Sequence, residues 1–152
     1  MKVTTVAAML LLGLAASATA QEFTFDQSKL YVSDPAACQM LQDKGVSALE
    51  ETDFLILSFA DGIQGMEFHC NFFDVKSASN TNFLFVSAVC NLPGDVYPDT
   101  LSISPYDETT IQVVSSYDTM MAASSTVEPE DPATNSGITF YHRCDNLSEL
   151  PR

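Results

Sequence analysis

Two histidines and four cysteines are the residues of this 152-residue chain best suited to chemistry, and each histidine lies near a cysteine. His69 precedes Cys70 in Met66-Glu67-Phe68-His69-Cys70, and His142 stands two residues before Cys144 in Ile138-Thr139-Phe140-Tyr141-His142-Arg143-Cys144. A thiolate beside an imidazole is the arrangement of a cysteine nucleophile. Met66, Glu67 and His69 together with His142 offer soft-to-borderline donors for copper or zinc. The nucleophile requires reduced sulfur. No two cysteines have the two-to-four-residue separation of a zinc knuckle. The simpler reading, a strand histidine bonded to backbone or water, is adopted for both, and no metal or cofactor is assigned.

Other catalytic patterns are missing. The carboxylate pairs Glu50-Glu51, Asp107-Glu108 and Glu130-Asp131 are adjacent acids, whereas a hydrolase holds its two carboxyls across a cleft. There is no G-x-S-x-G elbow, no glycine-rich phosphate loop and no D-x-[DN]-x-[DN]-G calcium loop. Asn146-Leu147-Ser148 matches a glycosylation sequon, a short and common pattern. No catalytic residue is assigned, and the chain reads as a non-enzyme.

The N-terminal segment MKVTTVAAMLLLGLAASATA has a basic start, an apolar run from Val6 to Ala16, and small residues at Ala18 and Ala20. This is the pattern of a secretory signal peptide over residues 1–20, with cleavage before Gln21 and no cysteine at the cut to receive a lipid. The expected mature chain, residues 21–152, is one β-domain held by disulfides, periplasmic or secreted. Beyond Ala20 no apolar run reaches the roughly 18 residues of a membrane span, so no membrane insertion is expected. All twenty acidic residues fall in this part against five basic ones, giving a net charge of −15, one lower than the −14 of the whole chain. Such a field repels phosphate backbones and anionic lipid, which argues against nucleic acid and membrane surfaces as partners.

Four cysteines in an exported chain of this size favour two disulfides. Asp34-Pro35 at one end and Gly45 at the other predict a short helix carrying Cys38 and Leu41, with Asp34 as its N-cap. Alternation from Asp53 to Ala60, followed by Asp61-Gly62, predicts a hairpin that sets Leu57 against Met66, Leu55 against Phe68 and Asp53 against Cys70. A second hairpin centred near Asn80 sets Cys70 against Cys90, so a cross-strand Cys70–Cys90 bond is expected, leaving Cys38 for Cys144. A third, around Pro105 to Glu108, lets Leu101 and Ile103 meet Val113 and Ile111. Pro93-Gly94 reads as a loop. Residues 118–137 lose periodicity and read as a long acidic loop.

The predicted fold is mainly β: a small antiparallel barrel or sandwich of about six strands, with one short N-terminal helix and two disulfides. In those registers one outer face gathers Phe54, Ile56, Glu67, His69, Phe73, Val75, Phe83, Phe85 and Val89, where polar residues are usual. Either the helix or the segment with Met120 and Met121 covers it, or it is a binding face with Glu67 and His69 as its polar handles. The leader, the Asp34-Pro35-Ala36-Ala37-Cys38 start, the central Met66-Glu67-Phe68-His69-Cys70 with a cysteine twenty residues on, and the terminal Tyr141-His142-Arg143-Cys144 resemble small exported four-cysteine proteins of Gram-negative bacteria. That group brings no assigned activity. In architecture alone the chain is similar to periplasmic β-barrel inhibitors of proteases or lysozymes, without a matching inhibitory loop. The function expected is binding of a protein partner, as an inhibitor or envelope accessory. The alternative is a carrier of a small apolar ligand or metal ion inside the barrel. No motif specifies the partner or an oligomeric state.

Overall fold

Leu84, Val86, Ala88 and Cys90 are buried while Phe85 and Val89 between them are exposed. This is the alternation of a strand with one dry and one wet face. In a computed structural model, which describes residues 24–77, 79–124 and 137–151, eight such strands close into an antiparallel barrel. The expected leader 1–20 and most of the acidic stretch lie outside those residues. The strands are β1 (Leu30–Val32), β2 (Ile56–Ser58), β3 (Gly62–Gln64), β4 (His69–Ser77), β5 (Leu84–Leu92), β6 (Asp95–Pro105), β7 (Thr110–Ser115) and β8 (Ile138–Cys144). Each pairs with its sequence neighbour, and β1 pairs with β8 to complete the ring. Helix α1 (Ala37–Lys44) and a 3-10 helix (Gly45–Glu50) connect β1 to β2, and α2 (Ser116–Ser124) follows β7.

The barrel has eight strands rather than about six. The two additional strands are β1 and β3, too short to show a period, while a turn read as a loop lengthens β6. Pro93-Gly94 is the centre of a two-residue turn that sets Leu92 opposite Asp95. The first predicted hairpin is displaced. Leu57 faces Ile63 and Ser58 faces Gly62, so the turn is Phe59-Ala60-Asp61, with Ser58 Oγ accepting the N–H groups of Ala60 and Asp61 at 3.2 and 3.3 Å. The chain turns again between Gln64 and His69, where Gly65 N–H donates to the Phe68 carbonyl at 2.7 Å. Met66 and Glu67 therefore stand in a turn, and Cys70 faces Ile63 rather than Asp53. The third hairpin slides by two residues, Ile103 opposite Val113 and Leu101 opposite Ser115, an even shift that keeps every side chain on its face.

The interior is filled by side chains from all eight strands, among them Tyr31, Leu57, Ile63, Val86, Leu101, Ile111 and Tyr141. That is how an eight-stranded barrel closes without a channel. A second core lies outside the wall, where α1 and the 3-10 helix cover β1, β2 and β8 through Leu30, Val32, Ile56, Ala37, Leu41 and Ala48. Strand β1 is buried along its whole length because Tyr31 belongs to the inner core while Leu30 and Val32 belong to the outer one. Each core carries one disulfide: Cys70–Cys90 joins neighbouring strands in the inner core, and Cys38–Cys144 ties α1 to the end of β8. Two such bonds belong to a chain folded in an oxidising compartment.

Helix α1 begins at Ala37 with Ala36 in the cap position. Asp34 caps the preceding turn instead, its carboxylate accepting the Ala36 N–H and its carbonyl the Ala37 N–H, both at 2.9 Å. Residues 118–124 are helical rather than part of a loop. α2 starts where β7 stops and lies against the stretch of β6 that β7 leaves unpaired, Ser116 Oγ donating to the Thr100 carbonyl at 2.8 Å. Pro98, with no N–H to offer, sits in that half-open stretch. No helix among the described residues is long and apolar enough to cross a membrane.

Candidate functional site

The histidines do not form a site together. β4 and β8 are four strands apart in a ring of eight, so His69 and His142 stand on opposite sides of the barrel. His69 Nε2 contacts Asn71 Oδ1 at 2.8 Å, and His142 Nδ1 contacts Thr110 Oγ1 at 3.3 Å. Every cysteine is in a disulfide, which removes the Cys-His nucleophile. Among the described residues no three His, Cys, Asp or Glu side chains gather as a metal ion would need.

The predicted outer face is divided by the fold. Phe54 and Ile56 are buried in the outer core beneath α1 and cannot take part in a binding face. Glu67 is exposed in the turn before β4, and His69 is half-buried at the start of that strand. A bulge between Phe72 and Asp74 leaves Phe73 outside the ladder, 68% exposed, and sets Val75 opposite inward-facing Val86. Phe85 and Val89 remain exposed on β5, joined by Val96 on β6. Phe83 precedes β5 and lines a separate hollow with Thr24 and Phe25 at the opposite end of the barrel.

What the fold brings together is a groove. Ser87 of β5 with Pro98 and Thr100 of β6 make its floor, Phe73 flanks it on the β4 side, and Tyr117 and Met120 of α2 flank it on the other. It is wide, about 380 Å³, and open to solvent. Met120 at 57% and Val96 at 66% exposure extend its apolar surface. Tyr117 is held by stacking on Tyr97, ring centroids 3.8 Å apart and planes 19° from parallel. Burial of Tyr97 pushes its phenol up to about 12.

Behind α2 a smaller cavity of about 50 Å³ opens on the barrel interior, lined on its polar side by Asp99, Ser115, Asp118, Thr139 and Tyr141. Asp99 is almost fully buried and helps to cap α2 although it belongs to β6, beside Ser115, whose Oγ accepts the Asp118 N–H at 3.0 Å. Its Oδ1 accepts the N–H groups of Thr100 and Tyr117 at 2.7 and 3.0 Å, and its Oδ2 accepts the Ser115 hydroxyl at 2.6 Å. A carboxylate at a helix N-terminus satisfies donors that would otherwise be orphaned. Asp118, in the first turn of α2, has its carboxyl raised by burial, and the nearby Asp99 charge raises it further, against a lowering contribution from Ser115.

A raised carboxyl means that the charged form is penalised in the fold. Its contribution to stability is therefore fully present below the ordinary value of 3.8 and is lost as pH rises through the folded value. The positive end of α2 offers little compensation, since Asp99 already occupies it. Asp118→Asn is accordingly expected to raise the melting temperature at pH 7, by no more than about 2 °C for so solvated a group. The gain should disappear at pH 3. A lower melting temperature at pH 7 would mean that the carboxylate is stabilised by donors rather than desolvated.

No protein-family model, curated protein or solved structure matches this chain. The site must therefore be read from its own residues. Sequence reasoning did not single out Asp99, Ser115, Asp118, Thr139 or Tyr141. Two of them leave a trace: Asp99 shares the inward phase of Tyr97 and Leu101 along β6, and Tyr141 sits at the centre of an apolar strand.

Proposed function

We propose that this chain is an exported, non-enzymatic β-barrel domain, periplasmic or secreted, that binds a protein partner through the groove between Phe73 and α2. The observation that carries this reading is the contrast between a packed interior and an open apolar groove outside it. A carrier of small apolar ligands needs an enclosed site of roughly 300–1,000 Å³, and the cavity behind α2 has about 50 Å³. Phe73, Val96 and Met120 are each more than half exposed, and contiguous apolar surface of this kind is the usual mark of a protein contact. The groove's surroundings carry Asp74, Asp95 and Asp118 on a chain of net charge −14. The partner that fits is a protein with an apolar centre and a basic rim.

Site-specific photocrosslinking in the exporting cell tests this. A photoreactive phenylalanine analogue at position 73, 96 or 120 is expected to yield one discrete adduct, whereas the same group at Phe140 or Val46, exposed elsewhere, yields none. The adduct should weaken with added salt. Equal, diffuse labelling from all five positions would sink the reading, and an adduct of twice the chain's own mass would replace the foreign partner with a second copy.

A further inference from the structure

Tyr141 is 1% exposed, and its hydroxyl has no hydrogen-bond partner among the described residues. Among the described residues, all side-chain oxygens and nitrogens that are fully shut off from solvent are partnered. The Tyr141 hydroxyl therefore retains the little accessible surface the residue has, and the space available to it is the cavity behind α2. A buried phenol left in this way is costly unless something polar occupies the space beside it. The Asp118 carboxylate faces the same cavity and lies near enough to push the Tyr141 phenol upward. Ser115, close to both aspartates, has one proton, and the 2.6 Å contact assigns it to Asp99. Asp118 and Tyr141 are thus both left with unused acceptor capacity, and Thr139 adds a third oxygen.

We infer that this cavity binds a primary ammonium group, carried either on a free alkylamine or on a lysine side chain of a protein. Three features select that chemistry. An ammonium has three N–H donors, matching Asp118, Tyr141 and Thr139. The remaining walls include Leu55, Ile63, Phe68, Leu101 and Val113, which suit methylenes rather than bulk water. A volume of about 50 Å³, at roughly 10–15 Å³ per water, holds about four heavy atoms, the size of the end of a lysine side chain. Anions are opposed by two carboxylates. A calcium ion would need six to eight oxygens, and Asp99 already accepts three of the roughly four bonds a carboxylate can take. The free-amine form stands without the partner reading, whereas the lysine form rests on it.

The test is an amide-resolved NMR titration of the oxidised protein at pH 7 with n-butylammonium, with n-butanol as its neutral counterpart, with calcium, and with Nα-acetyl-lysine amide. Saturable shifts at Asp118, Thr139 and Tyr141 with butylammonium are expected, with affinity falling by about tenfold or more for butanol and for Asp118→Asn. Tyr141→Phe should weaken binding by a smaller factor while leaving the rest of the spectrum in place, and if that variant fails to fold, Asp118→Asn carries the test alone. Equal binding of butanol, or no saturable shift, overturns the site, and calcium saturating the same resonances replaces it with a metal site. Binding of acetyl-lysine amide supports the lysine source, and its failure beside a positive butylammonium result overturns that source while the ammonium site stands. Phe73→Ser, outside the cavity lining, should leave butylammonium binding unchanged, which separates failure of this site from failure of the groove.

Discussion

The double variant C38A/C144A is expected to lose about 5 kcal/mol of stability, and C70A/C90A about 3 kcal/mol. The difference follows from the lengths of chain the two bonds close, sequence separations of 106 and 20 residues. A longer closed loop removes more freedom from the unfolded chain, and the logarithm turns a fivefold difference in length into about 1.5 kcal/mol. Alanine is the proper replacement because serine would add hydroxyls to positions as buried as Cys70 and Cys90. The longer bond also ties α1 down over Leu30, Val32 and Ile56, so its loss should expose the outer core first. Urea melts of the two variants at one pH measure both quantities. Equal losses, or a larger loss for the Cys70–Cys90 pair, would show that native-state packing around the bond outweighs loop closure.

Gly62→Ala is expected to cost about 3 kcal/mol or more, enough to leave a marginal domain unfolded in part. Gly62 has φ +103°, a backbone region that side chains rarely adopt. A methyl group there would also sit inside the van der Waals surface of the Cys70 carbonyl oxygen and press on the Phe72 backbone nitrogen. Backbone atoms of β4 cannot rotate away as a side chain can, so the β3–β4 pairing must open. A thermal melt compared with that of Gly94→Ala, where nothing lies within 4 Å of the added carbon, separates the two causes. At position 94 the backbone cost is present alone, so a similar loss at both sites would remove the steric part of the explanation.

Gly62 also illustrates what could be read in advance. Asp61-Gly62 signalled a residue without a side chain at this place, correctly, but for a different reason: the turn is one residue longer, and the glycine is needed where two backbones cross. A register set from the wrong turn centre moved Met66 and Glu67 from a turn onto a strand. By contrast, Ser77 to Asn82 is a polar stretch between two long periodic runs. Centring it near Asn80, which adopts φ +65°, places Cys70 opposite Cys90 as observed. Long strands average out local errors. The three-residue strands β1, β2 and β3 have no such averaging, and the burial of β1 and β2 is decided by two cores at once.

The site was less legible than the fold. α2 has a local cap in Ser115, whose Oγ accepts the Asp118 N–H at 3.0 Å, but its second cap, Asp99, arrives from a strand seventeen residues earlier. The apolar face read from the registers was real in Phe73, Phe85 and Val89, yet Phe54 and Ile56 belong to the layer beneath α1. No pattern in one strand could reveal which part of an outer wall a helix from elsewhere would cover. The bulge at Phe73 is similar: one extra residue reverses the facing of everything after it, and nothing in Phe72-Phe73-Asp74 announces it.

If the chain is exported, as proposed, the closure of the ring between β1 and β8 constrains the order of events on that route. A chain threaded through a translocation channel with its N-terminal end leading delivers β1 and Cys38 long before β8 and Cys144, which follow more than a hundred residues behind. During that interval β1 has only β2 to pair with, and Cys38 waits as a thiol while Cys70 and Cys90 emerge. The intermediate best protected against a wrong cross-link is one in which the β4–β5 hairpin forms and oxidises as soon as residue 90 has passed. On that route the short disulfide would act as a timing device: by removing two competing sulfurs early, it would leave Cys38 with a single mate when β8 arrives.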